Sequence, residues 1–161
     1  MVEKVKSAWW IVYSKQLKET KFLLIKRFAL SKKVERIAPK WKIMQLEKPE
    51  QAAVREIYEE AGLAQDKLII KDKLDTISLQ LYNNQWKLWI DKDITYYLVQ
   101  YTWNQDDVSI ADSEWFLGMY KRATIQEVLW LVPYTNLREL YRSAYHMLPK
   151  LSKRDEFIKN F

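Results

Sequence analysis

Residues 55–63 read Arg-Glu-Ile-Tyr-Glu-Glu-Ala-Gly-Leu, and Glu47 stands eight positions before Arg55. Three carboxylates, Glu56, Glu59 and Glu60, therefore fall at i, i+3 and i+4, and on a helix they share one sector about 100° wide. Ala53, Val54, Ile57 and Ala61 fill a separate sector that suits a core. Like charges at this spacing repel by roughly 0.2–0.5 kcal/mol per pair. Hard oxygen ligands gathered in this way suit a divalent cation, Mg²⁺ or Mn²⁺, which would relieve the repulsion. The competing reading is a charged, solvated helix that ends at a glycine. It accounts for Gly62 but not for the spacing back to Glu47.

The elements that must carry these residues are legible in outline. Pro49 suits a first helical turn and Gly62 a helix end, so a helix is predicted over 49–61. Residues 7–14 and 21–28, rich in aromatic and branched side chains, read as strands joined by the polar hairpin 16–20. Residues 29–40 are basic and irregular, with Pro39 near their end. A short strand or extended loop over 41–46 leads into the carboxylate segment. Strands follow over 67–71, 76–82, 86–90 and 94–103, with Asn83-Asn84 as a turn. Residues 104–113 form a polar, acidic loop. Helices are predicted over 124–132 and 135–148, separated at Pro133, with Thr124 and Thr135 as N-caps and Glu127 completing a capping box with Thr124. The end, 152–161, reads as a short helix or a flexible tail. No internal repeat or low-complexity linker interrupts the chain, so residues 1–161 are expected to form a single domain. Strands and helices in this order suggest an α+β fold, a sandwich of helices about a sheet.

Composition narrows the function. The chain has 161 residues, 48% hydrophobic and 14% aromatic, enough for a packed core. No apolar run approaches the length of a membrane span, and no secretory leader is evident. There is no cysteine, which excludes thiolate chemistry and fits a cytoplasmic location. A net charge of +6 and a pI near 9.3 suit a polyanion such as a nucleotide or RNA, or simply a soluble lysine-rich surface. Monomer and homodimer both remain open. His146, the only histidine, has no neighbouring ligand type and reads as structural or exposed.

The carboxylate segment resembles the Nudix box, G-x5-E-x7-R-E-U-x-E-E-x-G-U with U a bulky aliphatic residue. Glu47, Arg55, Glu56, Ile57, Glu59, Glu60, Gly62 and Leu63 stand in register, and Trp41 replaces the first glycine. Six such rigid positions would coincide by chance in a chain of this length with probability on the order of 10⁻⁵, which weighs against the solvated helix. Weaker similarities lie outside the box: KFLLIKR at 21–27 resembles the strand before it, Pro39-Lys40 its lead-in, and residues 124–140 the C-terminal helical region of dinucleoside polyphosphate hydrolases.

The resemblance implies a Nudix-like α/β/α sandwich with a mixed sheet and a loop-helix-loop catalytic motif. It implies metal-dependent cleavage of a phosphoanhydride, on a dinucleoside polyphosphate or a nucleoside triphosphate. The alternatives are an RNA 5′-end pyrophosphohydrolase or decapping enzyme, and a nucleotide-binding protein whose catalysis is impaired by Trp41. By position, Glu59 and Glu60 would bind metal. Glu56 would bind metal or position and deprotonate the nucleophile. Arg55 would orient the carboxylates, Glu47 would anchor the loop or join the metal shell, and Gly62 would let the chain leave the helix. Many members recruit another acid from a later loop; Glu114 is the choice here, with Asp107 and Asp112 as rivals. Lys40 is a candidate phosphate contact, ahead of Lys26, Arg27 and Lys42. Tyr82 and Tyr134 are candidates for stacking a nucleobase.

Overall fold

The computed structural model describes residues 2–16, 19–28, 34–37, 40–42, 46–102 and 116–159. Within them the chain forms strands β1 (Val2–Gln16), β2 (Glu19–Phe28), β3 (Val34–Ile37) and β4 (Lys40–Lys42), and then helix α1 (Pro49–Ala61). A 3-10 turn at Gln65–Lys67 leads to β5 (Leu68–Asn83), β6 (Leu88–Tyr101) and β7 (Phe116–Ala123), and helices α2 (Ile125–Leu131) and α3 (Thr135–Lys159) follow. None of the described helices is long and apolar enough to cross a membrane.

All seven strands belong to one mixed sheet, with a path β3-β2-β1-β6-β5. β1 is its centre. It runs parallel to β6 from Val2↔Trp89 to Tyr13↔Gln100. Its residues from Ser7 to Ser14 are all buried, because both faces of the strand are covered. Alternation divides them between two cores. Trp9, Ile11 and Tyr13 join Phe22, Leu24 and the apolar faces of α2 and α3, including Val128, Leu137 and Tyr141. Ala8, Trp10 and Val12 join Ile57, Ala61 and Leu63 on the α1 side, where Trp10 stacks on Tyr97 at 4.8 Å between ring centroids. The result is α1 on one side of the sheet and α2 with α3 on the other.

A split in the β1–β2 hairpin gives α1 its place. The two strands pair only from Tyr13↔Phe22 to Gln16↔Glu19. Beyond that point β1 takes β4 as its neighbour, at Ser7↔Lys42 to Trp9↔Lys40, while β2 takes β3 at Ile25↔Ile37 to Phe28↔Val34. On its other edge β2 pairs with β7. The fork thus delivers the chain from β4 to the start of α1.

The sequence-derived helices hold, although Thr135, expected as an N-cap, is the first residue of α3, and four strands differ. Residues 34–37, read as irregular, form β3 because the split leaves β2 an edge to pair with. β7 had no strand signal. The two strands predicted over 67–71 and 76–82 are one β5, continuous through Asp72–Asp75 with register shifts between Ile70 and Asp72 and between Lys73 and Thr76. Those predicted over 86–90 and 94–103 are likewise one β6, continuous because both of its edges are paired, to β1 and to β5. α3 runs past Pro149, where a stop was expected, and takes in most of the tail.

Candidate active site

α1 begins and ends as its residues require. Pro49 occupies the first turn, where its missing N–H costs no hydrogen bond. The Lys48 N–H donates to Gln51 Oε1 at 3.2 Å. Gly62 sits at φ 68°, ψ 12°, and its N–H donates to the Tyr58 carbonyl at 2.9 Å. A side chain at that φ is strained, so Gly62→Ala is expected to cost about 1–2 kcal/mol. A chemical-denaturation midpoint that did not move would show that the turn has another conformation open to it.

Inside the helix Arg55 collects the acids. Its Nε donates to Glu47 Oε1 at 2.8 Å and its Nη2 to Glu47 Oε2 at 3.0 Å, a two-point grip on the carboxylate. Its Nη1 donates to Glu59 Oε2 at 3.1 Å and also pairs with Glu56 Oε1. One guanidinium therefore ties Glu47, ahead of the helix, to the carboxylates of Glu56, next to Arg55 in sequence, and Glu59, one turn on. The accompanying carboxylates push the Arg55 pKa above its ordinary value, with the Glu47 hydrogen bond the largest cause, against the lowering effect of burial.

The acids differ in exposure. The Glu59 side chain is 55% exposed and that of Glu56 is 7% exposed. Burial pushes the Glu56 carboxyl up to about 7; Arg55 opposes this, while a hydrogen bond and the like charge of Glu59 add to it. The folded protein thus holds this proton more tightly than the unfolded chain, whose carboxyl would titrate near 4.5. Stability from this group is present below about 4.5 and is lost as pH rises through about 7. Metal-free protein is therefore expected to melt at lower temperature at pH 8 than at pH 5, and Glu56→Gln should flatten that slope. A Glu56→Gln slope as steep as that of the wild type would assign it to other groups.

The donor set fits a hard divalent cation: carboxylate oxygens on adjacent turns, net negative together, gathered by one guanidinium. Among the described residues no group of three or more His, Cys, Asp or Glu side chains is assembled. The Glu60 backbone belongs to α1, but its side chain lies outside the described residues, as do those of Lys40, Trp41, Lys42 and Arg27. Glu114, Asp107 and Asp112 lie outside them altogether.

Trp41 needs no left-handed backbone. It lies in β4 opposite Ala8, and the described non-glycine residues at positive φ are Leu46, at 68°, and Lys87, at 50°. The turn into the box is made at Leu46, the residue before Glu47, with its side chain fully exposed.

The aromatic candidates lie apart from the carboxylates. Tyr82 is near the end of β5, half-exposed, 5.2 Å from Trp89 across the hairpin. Trp89 precedes Tyr97, which feels the charge of Glu50 at the start of α1, by eight residues of β6. That is roughly 27 Å of strand. Tyr134 stands between α2 and α3, on the opposite layer. Tyr58, an unspecified position of the box that sequence reasoning passed over, is 61% exposed. It lines an open groove of about 840 Å³ with Glu47, Arg55, Val54, Gln65 and Ile70. Its only sequence signal was an aromatic ring on the solvent sector of the helix.

Sheet, fork, loop and helix with an arginine-clamped acid cluster define a class. The chain belongs to the Nudix family, whose NUDIX domain matches residues 4–150. It is similar in structure to the Ap4A hydrolase of C. elegans. The binary complex of that protein superposes with TM-score 0.72 at 24% identity, covering 91% of this chain and 98% of that one. A second structure of the hydrolase gives TM-score 0.67 at 26% identity, covering 92% and 99%. The E. coli dihydroneopterin triphosphate pyrophosphohydrolase shares the fold, with TM-score 0.65 at 15% identity over 89% of this chain and 97% of that one. Sequence comparison with curated proteins finds no match. The assignment makes the chain a member of a family of pyrophosphohydrolases.

Proposed function

We propose that this protein hydrolyses a phosphoanhydride bond of a nucleoside polyphosphate with the help of Mg²⁺, Mn²⁺ being the alternative ion, and that its substrate is a dinucleoside polyphosphate or a nucleoside triphosphate. The observation that carries the reading is the Arg55 clamp, which holds Glu47 and Glu59 at 2.8–3.1 Å and pairs with Glu56. The likeness at 26% identity over nearly the whole of a C. elegans Ap4A hydrolase favours the dinucleoside class.

Glu56, Glu59 and Glu60 would hold the cation, which when bound neutralises phosphate charge and lowers the pKa of water. The chain's own residues do the rest. Arg55 fixes the carboxylates before substrate arrives, so that little reorganisation is needed during reaction. Glu56, raised towards neutrality in the metal-free state, is suited to hold or accept a proton close to the reacting water. Lys40, at the start of β4 beside the fork, and Glu114 are the proposed phosphate contact and additional acid. Trp41 lies in a strand, which supports a working site over an impaired one.

Tyr58 shares its groove with Glu47 and Arg55, so it is a nearer stacking surface for a base than Tyr82 or Tyr134. Tyr58→Ala is expected to raise KM about tenfold or more with kcat little changed; an unaltered KM would remove it from the substrate path.

The test of the whole reading is product formation, with Mg²⁺, from diadenosine polyphosphates, nucleoside triphosphates, sugar nucleotides and 5′-triphosphorylated RNA. Cleavage of the first or second class supports the proposal. Cleavage of RNA alone would replace it with 5′-end processing, and binding without product would replace it with a nucleotide-binding role.

A further inference from the structure

β5 closes one side of the sheet, and β6 is its only strand neighbour among the described residues. Its outer edge falls into two unlike halves. Residues 70–75 carry the devices that keep an edge single: Lys71, Asp72, Lys73 and Asp75 in succession, and two register shifts against β6. Residues 76–83 carry none. They read Thr-Ile-Ser-Leu-Gln-Leu-Tyr-Asn, without charge, proline or glycine, in unbroken register with β6 from Thr76↔Thr95 to Asn83↔Leu88. A run of this kind is a template for another strand.

The two faces of the run name the partner. Thr76, Ser78 and Gln80 form a polar row, hydrogen-bonded across the hairpin to Thr95, Asp93 and Asp91. Ile77 and Leu79 pack against the α3-side core, and Leu81, 39% exposed, extends their row. A second copy related by a two-fold axis normal to the sheet keeps its faces on the same sides. Only residues of equal parity can then stand opposite each other. With the axis at Leu79, Ile77 meets Leu81, Leu79 meets Leu79, Ser78 meets Gln80 and Thr76 meets Tyr82. Each row meets its own kind and no like charges are opposed. Moving the axis to Ser78 would set Asp75 against Leu81, and moving it to Gln80 would set Ile77 against Asn83.

We infer that the protein self-associates through this edge, the 76–83 segments of two copies pairing antiparallel about Leu79 to continue one sheet across both. The inference is independent of the hydrolytic reading, since it uses no residue of the box.

Sedimentation equilibrium of the full chain tests it. Wild type at tens of micromolar is expected to show about twice the chain mass of 19.5 kDa. Ser78→Lys/Gln80→Lys places lysines opposite lysines in the dimer while each faces an aspartate within its own chain, and should weaken association about tenfold or more. Mixing it with Ser78→Glu/Gln80→Glu should restore a dimer containing one chain of each kind. Circular dichroism checks that both variants are folded. Three results would overturn the inference: a wild type that stays monomeric, a dimer indifferent to the double lysine change, and a monomer that instead captures an unrelated extended peptide at this edge.

Discussion

Glu59→Gln is expected to lower kcat by roughly 10²–10³-fold while leaving the fold in place. The substitution keeps shape and removes one negative charge and one hard oxygen donor. Glu59 is half-exposed and accepts a single hydrogen bond from Arg55 Nη1, so its structural contribution is small. A stability change below about 0.5 kcal/mol is anticipated. Removing its charge also eases ionisation of the adjacent Glu56 carboxyl, which Glu59 holds up. The check is steady-state hydrolysis over a range of Mg²⁺ concentrations, beside thermal melting. A loss that saturating Mg²⁺ partly repairs would assign Glu59 to cation binding. A variant within about threefold of wild type, less than removal of a single electrostatic group from a site costs, would withdraw Glu59 from the site.

Arg55→Ala should have two consequences, because the guanidinium serves both the loop and the helix. Glu47 has a side chain 14% exposed and would lose both of its Arg55 hydrogen bonds; Glu56 would lose the cation that counters its burial. Breaking a fully buried pair costs about 3–5 kcal/mol and an exposed one about 0–1. Arg55 itself is 27% exposed, so about 2 kcal/mol is expected. Activity should fall roughly 10–100-fold even where the variant is folded, as for a group that orients metal ligands. Arg55→Lys keeps the charge but not the fork and should recover only part of the loss. A double-mutant cycle with Glu47→Gln separates the two effects. Coupling near zero would show that the clamp contributes nothing measurable and that Arg55 acts on substrate directly.

The candidate site was legible because nearly all of it is local. Glu56, Glu59 and Glu60 share a sector through helix geometry alone, and Pro49 and Gly62 bound that helix by backbone chemistry that does not depend on the rest of the molecule. The capping box at Thr124 is of the same kind: Glu127 N–H donates to Thr124 Oγ1 at 3.2 Å, and Thr124 N–H to Glu127 Oε1 at 3.4 Å. The central strand was legible through its buried aromatic and branched run. By contrast, β3 and β7 carry charged residues and have no pattern of their own; they are strands because β2 offers an edge on each side. Charges also hid the continuity of β5, since a strand at the sheet edge can turn Lys73 and Asp75 toward water without leaving the ladder.

What the sequence determined by itself, then, is the box, its helix, the capping box at Thr124 and the strand character of β1, each following from residues within a turn or two of one another. Only the tertiary structure decided that the β1–β2 hairpin splits to seat β4, which puts Trp41 in extended backbone, and that Leu46 takes a left-handed φ. It alone made Glu56 a buried acid beside an exposed Glu59. It set Tyr58, rather than Tyr82 or Tyr134, in the groove with Arg55. These outcomes depend on which surfaces meet, and burial, the quantity that sets a carboxyl's proton affinity and a ring's exposure, belongs to the packed molecule and not to any short stretch of its chain.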